Sequence, residues 1–335
     1  GDYEKYHGAG IYNESSSPTI SNCTFAGNSA SSAYGDGGGM CNRNSSVPIV
    51  TNCTFINNDA DDGGGMYNDA SSPTVAKCAF ANNYCSGFHG GALYNADSSP
   101  SLDSCTLVGN WTQHHGDGGG IYNISSSHTL TNCVIAGNMA SERGAGVYND
   151  SSSPTVTNCT FAGNFASSPY GDGGGMYNRN DSVPTVTNCI LWANLNNEIE
   201  YLSGVQPVVT FSDVRGGYTG IGNIDVSPGF MQGPFGTSTD FVYDSDSYKA
   251  TLADSGSNFS PDALAGAVLW ITTESDSKGY HITDNDATTI TVWADATEGG
   301  ALGAEVVYAV VDYHLAASSP CIDTGGSIFR IIPDL

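Results

Sequence analysis

Four aspartates, Asp36, Asp62, Asp117 and Asp172, each stand directly before a glycine triplet. A turn of this kind places a carboxylate beside exposed backbone carbonyls, the ligand types that Ca2+ takes, and Asp59 and Asp61 add two more carboxylates near Asp62. Calcium is therefore one expectation for these four residues. The other is a solvated, turn-forming aspartate, since the repeated Asp pattern of calcium-binding β-rolls is missing. Cysteine is the second chemical signal. Of ten cysteines, seven (Cys23, Cys53, Cys78, Cys105, Cys133, Cys159, Cys189) recur at one position of a repeat, and Cys41, Cys85 and Cys321 lie off it. Stacked equivalents come within bridging distance, but side chains in register point the same way, and a thiol packs as a small hydrophobe. A free core ladder is the expectation, with disulfides as the alternative; no Cys-x-x-Cys spacing points to zinc.

Cleavage chemistry finds little support. A hydrolase needs two or three converging carboxylates, and a polysaccharide lyase needs an Arg or Lys base near a bound cation. The chain has only 9 Lys and Arg. Arg43 and Arg179 occupy duplicated Asn-Arg-Asn turns five repeats apart, roughly 24 Å by strand spacing. The polygalacturonase phrases Asn-x-Asp, Gly-His-Gly and Arg-x-Lys do not occur as a set, and His89, His114 and His115 read as loop residues. The expectation is a protein that is not an enzyme.

The elements that position these residues follow from composition and period. The chain has 335 residues, 39% hydrophobic, enough for a substantial core. Its formal charge of −25 argues against nucleic acid and anionic lipid as partners. No apolar run is long enough to span a membrane, and the chain begins within repeat-like sequence, as a processed or truncated chain would. Its 43 glycines follow no three-residue period, which excludes collagen.

A phrase of small residues, an apolar residue, Tyr and Asn recurs, ending at Asn13, Asn42, Asn68, Asn95, Asn123, Asn149 and Asn178 at intervals of 26 to 29 residues. Ten or eleven positions after each comes Cys-x-(Phe/Leu/Ile)-x-x-Asn. Short apolar alternations between Gly, Asn, Asp and Ser give strand period with turn punctuation. A unit this short buries no core alone, whereas stacked coils of three short strands share one. Placing Val156, Cys159 and Phe161 all inside requires a bend near Asn158, a residue type that tolerates left-handed angles and can bond its stacked copy. Residues 8–58 align with 144–194 at an offset of 136 residues, a duplication of five whole coils. The fold class is all-β, a right-handed parallel β-helix of about eight to nine coils.

Phe25-Ala-Gly-Asn28, Phe55-Ile-Asn-Asn58, Phe80-Ala-Asn-Asn83 and Phe161-Ala-Gly-Asn164, paired with the Gly-Gly-Ala-apolar phrases, resemble the repeats of the chlamydial polymorphic outer-membrane proteins and related bacterial right-handed parallel β-helix surface proteins. The resemblance covers residues 8–231. "VTFSDVRGG" (209–217), "GNIDVSPGF" (222–230) and "DYHLAASSPCIDTG" (312–325) are similar to closing segments of secreted or surface-anchored β-helix proteins. The resemblance implies an extracellular, cell-surface and often adhesive role, with no transferable catalytic residues.

The expected organisation is a solenoid over residues 1–231, a small β-rich module over 232–311 and a return to the solenoid over 312–335. Tyr12, Tyr67, Tyr94, Tyr122, Tyr148 and Tyr177 follow an inward residue and are expected to face outward, as same-face stacking or as a row that meets a glycan or protein. The Asn-x-Thr triplets at Asn22, Asn52 and Asn158 are expected on buried corners, as by-products of the repeat. A solenoid exposes a sheet edge at each end, so the sharpest expectation is a structural or adhesive subunit whose partner is another copy, stacked head to tail into a filament. A monomeric glycan- or protein-binding adhesin is the alternative, and a polysaccharide lyase or glycoside hydrolase a weaker one.

Overall fold

The computed structural model describes residues 7–30, 35–167, 171–202, 205–244, 249–265, 267–272, 277–293 and 306–315. The third coil shows how the sequence folds. Met66–Asp69 forms a strand of sheet A, Thr74–Ala76 of sheet B, Ala79–Ala81 of sheet C and Tyr84–His89 of sheet D. Met66, Asn68, Val75, Cys78, Phe80 and Asn83 are all buried. Strand alternation alone cannot put Val75, Cys78 and Phe80 on one side. Lys77 and Asn82 supply the bends, with φ of 52° each.

The B-to-C bend falls on the same column in every coil: Asn22, Asn52, Lys77, Ser104, Asn132, Asn158 and Asn188 all have positive φ. A side-chain bond between stacked bend asparagines occurs from Asn158 Nδ2 to Asn132 Oδ1, at 3.3 Å. The column therefore selects for a left-handed backbone, and Lys and Ser adopt it as well as Asn. Apart from Ser104, which is buried, these bends reach the surface. Asn22 and Asn52 are exposed and Asn158 is half-buried, contrary to the expected buried corners.

Successive coils pair in parallel and in register, with Phe55 beside Phe80, Val50 beside Val75 and Asn42 beside Asn68. Sheets A, B and C have eight strands each and sheet D has six. The chain makes seven turns and an eighth with three strands, Ile199–Tyr201, Val208–Thr210 and Asp213–Val214. This falls at the lower edge of the expected coil number and adds a fourth side to the expected three. The fourth side escapes sequence reading because several of its strands are two residues long, too short to show a period.

The core is a continuous column of Val and Leu from sheet B, the cysteines, Phe, Leu and Ile from sheet C, and Met, Leu, Ile and Val from sheet A. Phe25, Phe55 and Phe80 stack at 4.6 and 4.7 Å. Each such ring, removed from water, stabilises the fold by about 2–3 kcal/mol. Eight of the nine described cysteines are buried, Cys23 of the first coil is exposed, and all nine are free thiols. Cys53, Cys133 and Cys159 donate their backbone N–H to the sulfur of the next coil's cysteine at 3.4 Å. Cys41 and Cys85 are buried in sheets A and D; Cys321 lies outside the described residues.

The chain divides between Pro228 and Gly229. The second unit is a seven-stranded antiparallel sheet with its own core, including Leu252, Leu269, Ile282, Ile290 and Val292. Its strand Phe230–Thr237 pairs with Val307–Leu315. The expected boundaries at 231 and 311 thus both fall inside strands. An unbroken strand has no composition change to mark a boundary, and residues 316–335 lie outside the described set.

Candidate functional site

The solenoid holds constant spacing except at one corner. Each ladder Asn is followed by its cysteine at 10 or 11 residues, and each cysteine by the second Asn at 5. From that second Asn to the glycine that opens sheet A, the intervals are 9, 5, 7, 8, 6 and 9 residues, ending at Gly37, Gly63, Gly90, Gly118, Gly144 and Gly173. Insertions in a repeat protein collect on one face, and that face is commonly the binding face. These glycines have φ of 61 to 74°. A Cβ on Gly63 would meet the Met66 carbonyl oxygen at 2.7 Å, so the position admits only glycine.

The residues before these glycines form a row. Backbone N–H groups of Gly8, Gly37, Gly63, Gly90, Gly118 and Gly144 donate to the carbonyls of Asp36, Asp62, His89, Asp117, Arg143 and Asp172. The expected aspartates are therefore four rungs of a row whose remaining described rungs are His7, His89 and Arg143. Sequence reading missed these three because their residue type differs. The constant five-residue spacing from each opening glycine to its ladder Asn could have found them.

This row runs over the outer face of sheet A, and it corrects the expected exposure of the tyrosines. They do point away from the lumen, but Tyr67, Tyr122, Tyr148 and Tyr177 are buried and Tyr94 is half-buried; of the six, Tyr12 alone is exposed, at 43%. The rings stack at 4.8 to 5.3 Å from Tyr67 through Tyr177. His89 lies flat on Tyr122 at 4.1 Å. Guanidinium groups cover three others: Arg43 over Tyr67 at 5.1 Å, Arg179 over Tyr148 at 5.4 Å and Arg143 over Tyr177 at 5.5 Å.

At coils two to four the corner opens into a pocket of about 680 Å³. Asp36, Asp61, Asp62 and Asp69 bring carboxylates to it, with Arg43 as its guanidinium. Tyr67 and Phe88 are its aromatic walls, and His114 stands at its rim. Phe88 is exposed because the register of strand Tyr84–His89 shifts between Cys85 and His89, a bulge that turns Ser86, Gly87 and Phe88 outward. Arg43 Nη2 bonds Asp36, its Nη1 lies 3.9 Å from Asp69, and His7 Nδ1 lies 3.1 Å from Asp36.

Burial, and after it the charge of Asp36, pushes the Asp62 carboxyl up to about 7, although its Oδ1 accepts the His89 N–H at 2.9 Å. Asp117 is likewise pushed up to about 7, by burial against the opposing charge of Arg143. Burial holds His89 down at about 4, aided by Arg179.

The geometry does not gather the four aspartates of the calcium expectation at one place. Asp36 and Asp62 are neighbours, but His89 separates Asp62 from Asp117, and Arg143 separates Asp117 from Asp172. Asp59 lies in sheet D beside Tyr84. Among the described residues no three His, Cys, Asp or Glu side chains come together to hold a metal ion. At Asp36 the cation is the protein's own Arg43. Of the histidines, His114 joins the pocket, while His115 pairs with Glu142 at 2.6 Å.

The remaining expected residues are internal fasteners. Asn13, Asn42, Asn68, Asn95, Asn123, Asn149 and Asn178 form an unbroken side-chain chain, each Nδ2 donating to the next Oδ1 at 2.8 to 2.9 Å. The second-phrase asparagines do the same from Asn28 to Asn194, and each of Asn28 to Asn164 also donates its backbone N–H to the next side-chain oxygen. Glu198 accepts from Asn194 at the end of that chain. A serine chain, Ser46 through Ser182, runs beside them and is not evident from the sequence, where serine is common at turns.

A family model described as a right-handed β-helix region matches residues 3–128 and, overlapping them, 90–225. Neither the curated proteins nor the solved structures contain a match to the chain. No helix among the described residues is long and apolar enough to cross a membrane.

Proposed function

The chain belongs to the right-handed β-helix family, and from that premise we propose that it is an extracellular, non-enzymatic surface protein whose solenoid is an adhesive scaffold and whose contact face is the D-to-A corner. One observation carries this reading: all large variation in coil length falls at that corner, where the pocket also lies. Elsewhere the coils repeat nearly invariant ladders, which serve stacking and leave little to distinguish one partner from another. The test replaces the nine-residue turn that ends at Gly37 and the seven-residue turn that ends at Gly90 with the five-residue turn that ends at Gly63. Binding of the purified chain to immobilised cell-surface material should fall at least tenfold, with the melting temperature held within a few degrees. Unchanged binding places the contact elsewhere, and release of products from pectin- or alginate-like polymers by the unmodified chain would return an enzyme.

Head-to-tail assembly is the second reading, favoured by the strands Ile11–Glu14, Thr19–Ser21 and Thr24–Ala26, which among the described residues pair on one side only. An edge of three aligned strands can accept the last coil of another copy, and such a contact propagates without closing. Electron microscopy at several concentrations decides it. Fibres that vanish when the first coil is deleted support it, and isolated rods throughout reject it.

A further inference from the structure

Each strand of sheet B turns one residue inward and two outward. The middle residue, such as Val156 or Val186, is buried in the core column, and the first and third face away from it. Eight strands of three residues therefore present sixteen side chains on one outer face, in two columns. Twelve of the sixteen carry a hydroxyl, ten as threonine and two as serine.

The array is most complete in coils five to seven. Thr129 lies beside Thr155 and Thr155 beside Thr185, while Thr131, Thr157 and Thr187 pair in the same register two residues along. Neighbouring strands stand about 4.8 Å apart and residues i and i+2 about 6.7 Å apart, so hydroxyls and methyls form a net that repeats in two directions. Threonine is stiff at its first side-chain torsion, and threonines stacked across strands support one another. The net is therefore set before anything binds to it. It continues into the eighth coil, where Thr187 Oγ1 lies 3.2 Å from Thr210 Oγ1.

Strand propensity by itself favours outward threonine. It does not account for the charge. The chain has 34 acidic and 9 basic residues, and the outward residue that ends each four-residue strand of sheet A is charged in five coils of seven: Glu14, Arg43, Asp69, Asp150 and Arg179. Of the sixteen outward positions on sheet B, Asp103 alone is charged, and Asn132 Nδ2 bonds its carboxylate at 3.0 Å. No aromatic ring stands among the sixteen, so the face lacks the anchors by which proteins grip one another. In a chain of net charge −25 it is an uncharged, repeating surface.

A partner complementary to such a face is itself uncharged and repeating. Ice answers both conditions: its planes present water oxygens at comparable intervals in two directions, and a hydroxyl, like water, both donates and accepts. Charged side chains would hold water in shells of their own geometry, whereas threonine hydroxyls take positions in the lattice and their methyls are covered by the same ordered layer. We propose that the outer face of sheet B binds ice, with Thr129, Thr131, Thr155, Thr157, Thr185 and Thr187 at its centre. Each contact is weak, and the face holds because many rows engage the lattice at once. The proposal goes beyond adhesion at the D-to-A corner, since it concerns another face and another partner.

The test follows the fluorescently labelled full chain at the front of a growing ice crystal, and the grain size of frozen sucrose solutions held just below melting. The chain should enter the crystal and keep the grains small, where serum albumin at equal concentration is excluded and lets them coarsen. Thr155→Tyr, at an exposed position in the centre of the net, should lower uptake by about fivefold, and Thr155→Ser, which keeps the hydroxyl and loses the methyl, by about twofold. Thr24→Tyr makes the same bulky change at an exposed position of sheet C and should leave uptake unchanged. Circular dichroism melts establish that each variant is folded. Exclusion of the unmodified chain from ice, or equal loss in Thr24→Tyr and Thr155→Tyr, overturns the proposal. Retention on microcrystalline chitin or cellulose without uptake into ice overturns it in favour of a crystalline polysaccharide. The variant with shortened corner turns should enter ice as the unmodified chain does, so adhesion at the corner and ice binding at sheet B stand or fall separately.

Discussion

The guanidinium of Arg179 lies 5.4 Å over the ring of Tyr148, and its Nε and Nη2 both donate to one carboxylate oxygen of Asp150, at 2.9 and 2.6 Å. Asp150 belongs to the coil before Arg179, so the pair fastens two coils on the outer face of sheet A. Burial acts to raise the Asp150 carboxyl, but hydrogen bonds from Asn180 and Arg179 and the Arg179 charge outweigh it and hold the group below its ordinary range. Asp150 thus adds stability that is complete above its unfolded pKa and lost as pH falls through the lower folded one. Arg179→Gln should cost about 2 kcal/mol at pH 7 by urea denaturation. The cost should shrink as pH falls through the lowered folded pKa of Asp150, where the carboxylate becomes protonated in both proteins; a cost that does not change with pH would show that Arg179 acts by packing alone.

Tyr148 makes an opposite prediction. It is fully buried, and its hydroxyl has no hydrogen-bond partner. A buried, unsatisfied hydroxyl costs about 1–3 kcal/mol, so Tyr148→Phe should stabilise the solenoid by about 1 kcal/mol. Tyr148→Ala should cost about 3–5 kcal/mol through the lost ring contacts with Tyr122 and Tyr177. Thermal melts of the two variants check both signs.

The tyrosine row also marks where the sequence stops being informative. Alternation along Met66-Tyr67-Asn68 tells which side of sheet A each residue takes, because the side-chain period of a strand is two. It does not tell whether the far side meets water. That depends on covering residues drawn from different places, His89 and Arg143 from the return segment of variable length and Arg43 and Arg179 from the ends of sheet A strands, so no one residue type at a fixed spacing marks the cover. The ladders were legible because they demand one residue type at a fixed spacing. The pocket was half legible: Asp36, Asp61 and Asp62 stand out, whereas Phe88 enters through a bulge that no local period signals.

The solenoid's pH dependence is set by two opposing groups of buried residues. Burial raises Asp62, Asp117 and Glu198 to about 7, and lowers His89 to about 4 and His128 to about 3. The three carboxyls hold protons that the unfolded chain releases above its ordinary carboxyl pKa. Their contribution is fully present below that value and is lost as pH rises toward 7. The histidines are the reverse: their contribution is full above about 6.5 and is lost as pH falls. Between about pH 4.5 and 6.5 the three carboxyls outweigh the two histidines by about one proton, and each uncompensated proton is worth about 1.4 kcal/mol per pH unit. Stability should therefore decline from pH 5 through 6.5 and level off above about 7, and Asp62→Asn with Asp117→Asn should reverse the lower part of the decline and flatten the upper part. Denaturation midpoints at pH 5, 6.5 and 8 read this directly; a rise across the upper interval would contradict it.

His128 isolates one side of that balance. It is fully buried with neither ring nitrogen bonded, and it occupies the column held by Pro100 and Pro154 in the neighbouring coils. His128→Pro should stabilise by about 0.4–1 kcal/mol at pH 7, because proline already fits the column. The gain should widen toward pH 4, since the variant has no imidazole to charge on unfolding. A gain independent of pH would remove the histidine from the balance.

The asparagine chain makes the strongest claim about cooperativity. Asn123 Nδ2 donates to Asn149 Oδ1 at 2.9 Å, and its own Oδ1 accepts from Asn95, all three fully buried. Asn123→Ala strands a donor on one neighbour and an acceptor on the other, at about 3 kcal/mol. Asn13, in the first coil, has one ladder bond, to Asn42, so Asn13→Ala should cost only about 1 kcal/mol. The difference has a second consequence. Each coil of a solenoid contacts only its neighbours, so a break in the middle weakens the one interface through which the two halves support each other. Asn123→Ala should broaden the unfolding transition or split it in two, whereas Asn13→Ala should leave it single and slightly earlier. Equal costs with single transitions would mean that each rung acts alone and that cooperativity comes from the apolar column of Phe, Val and Cys.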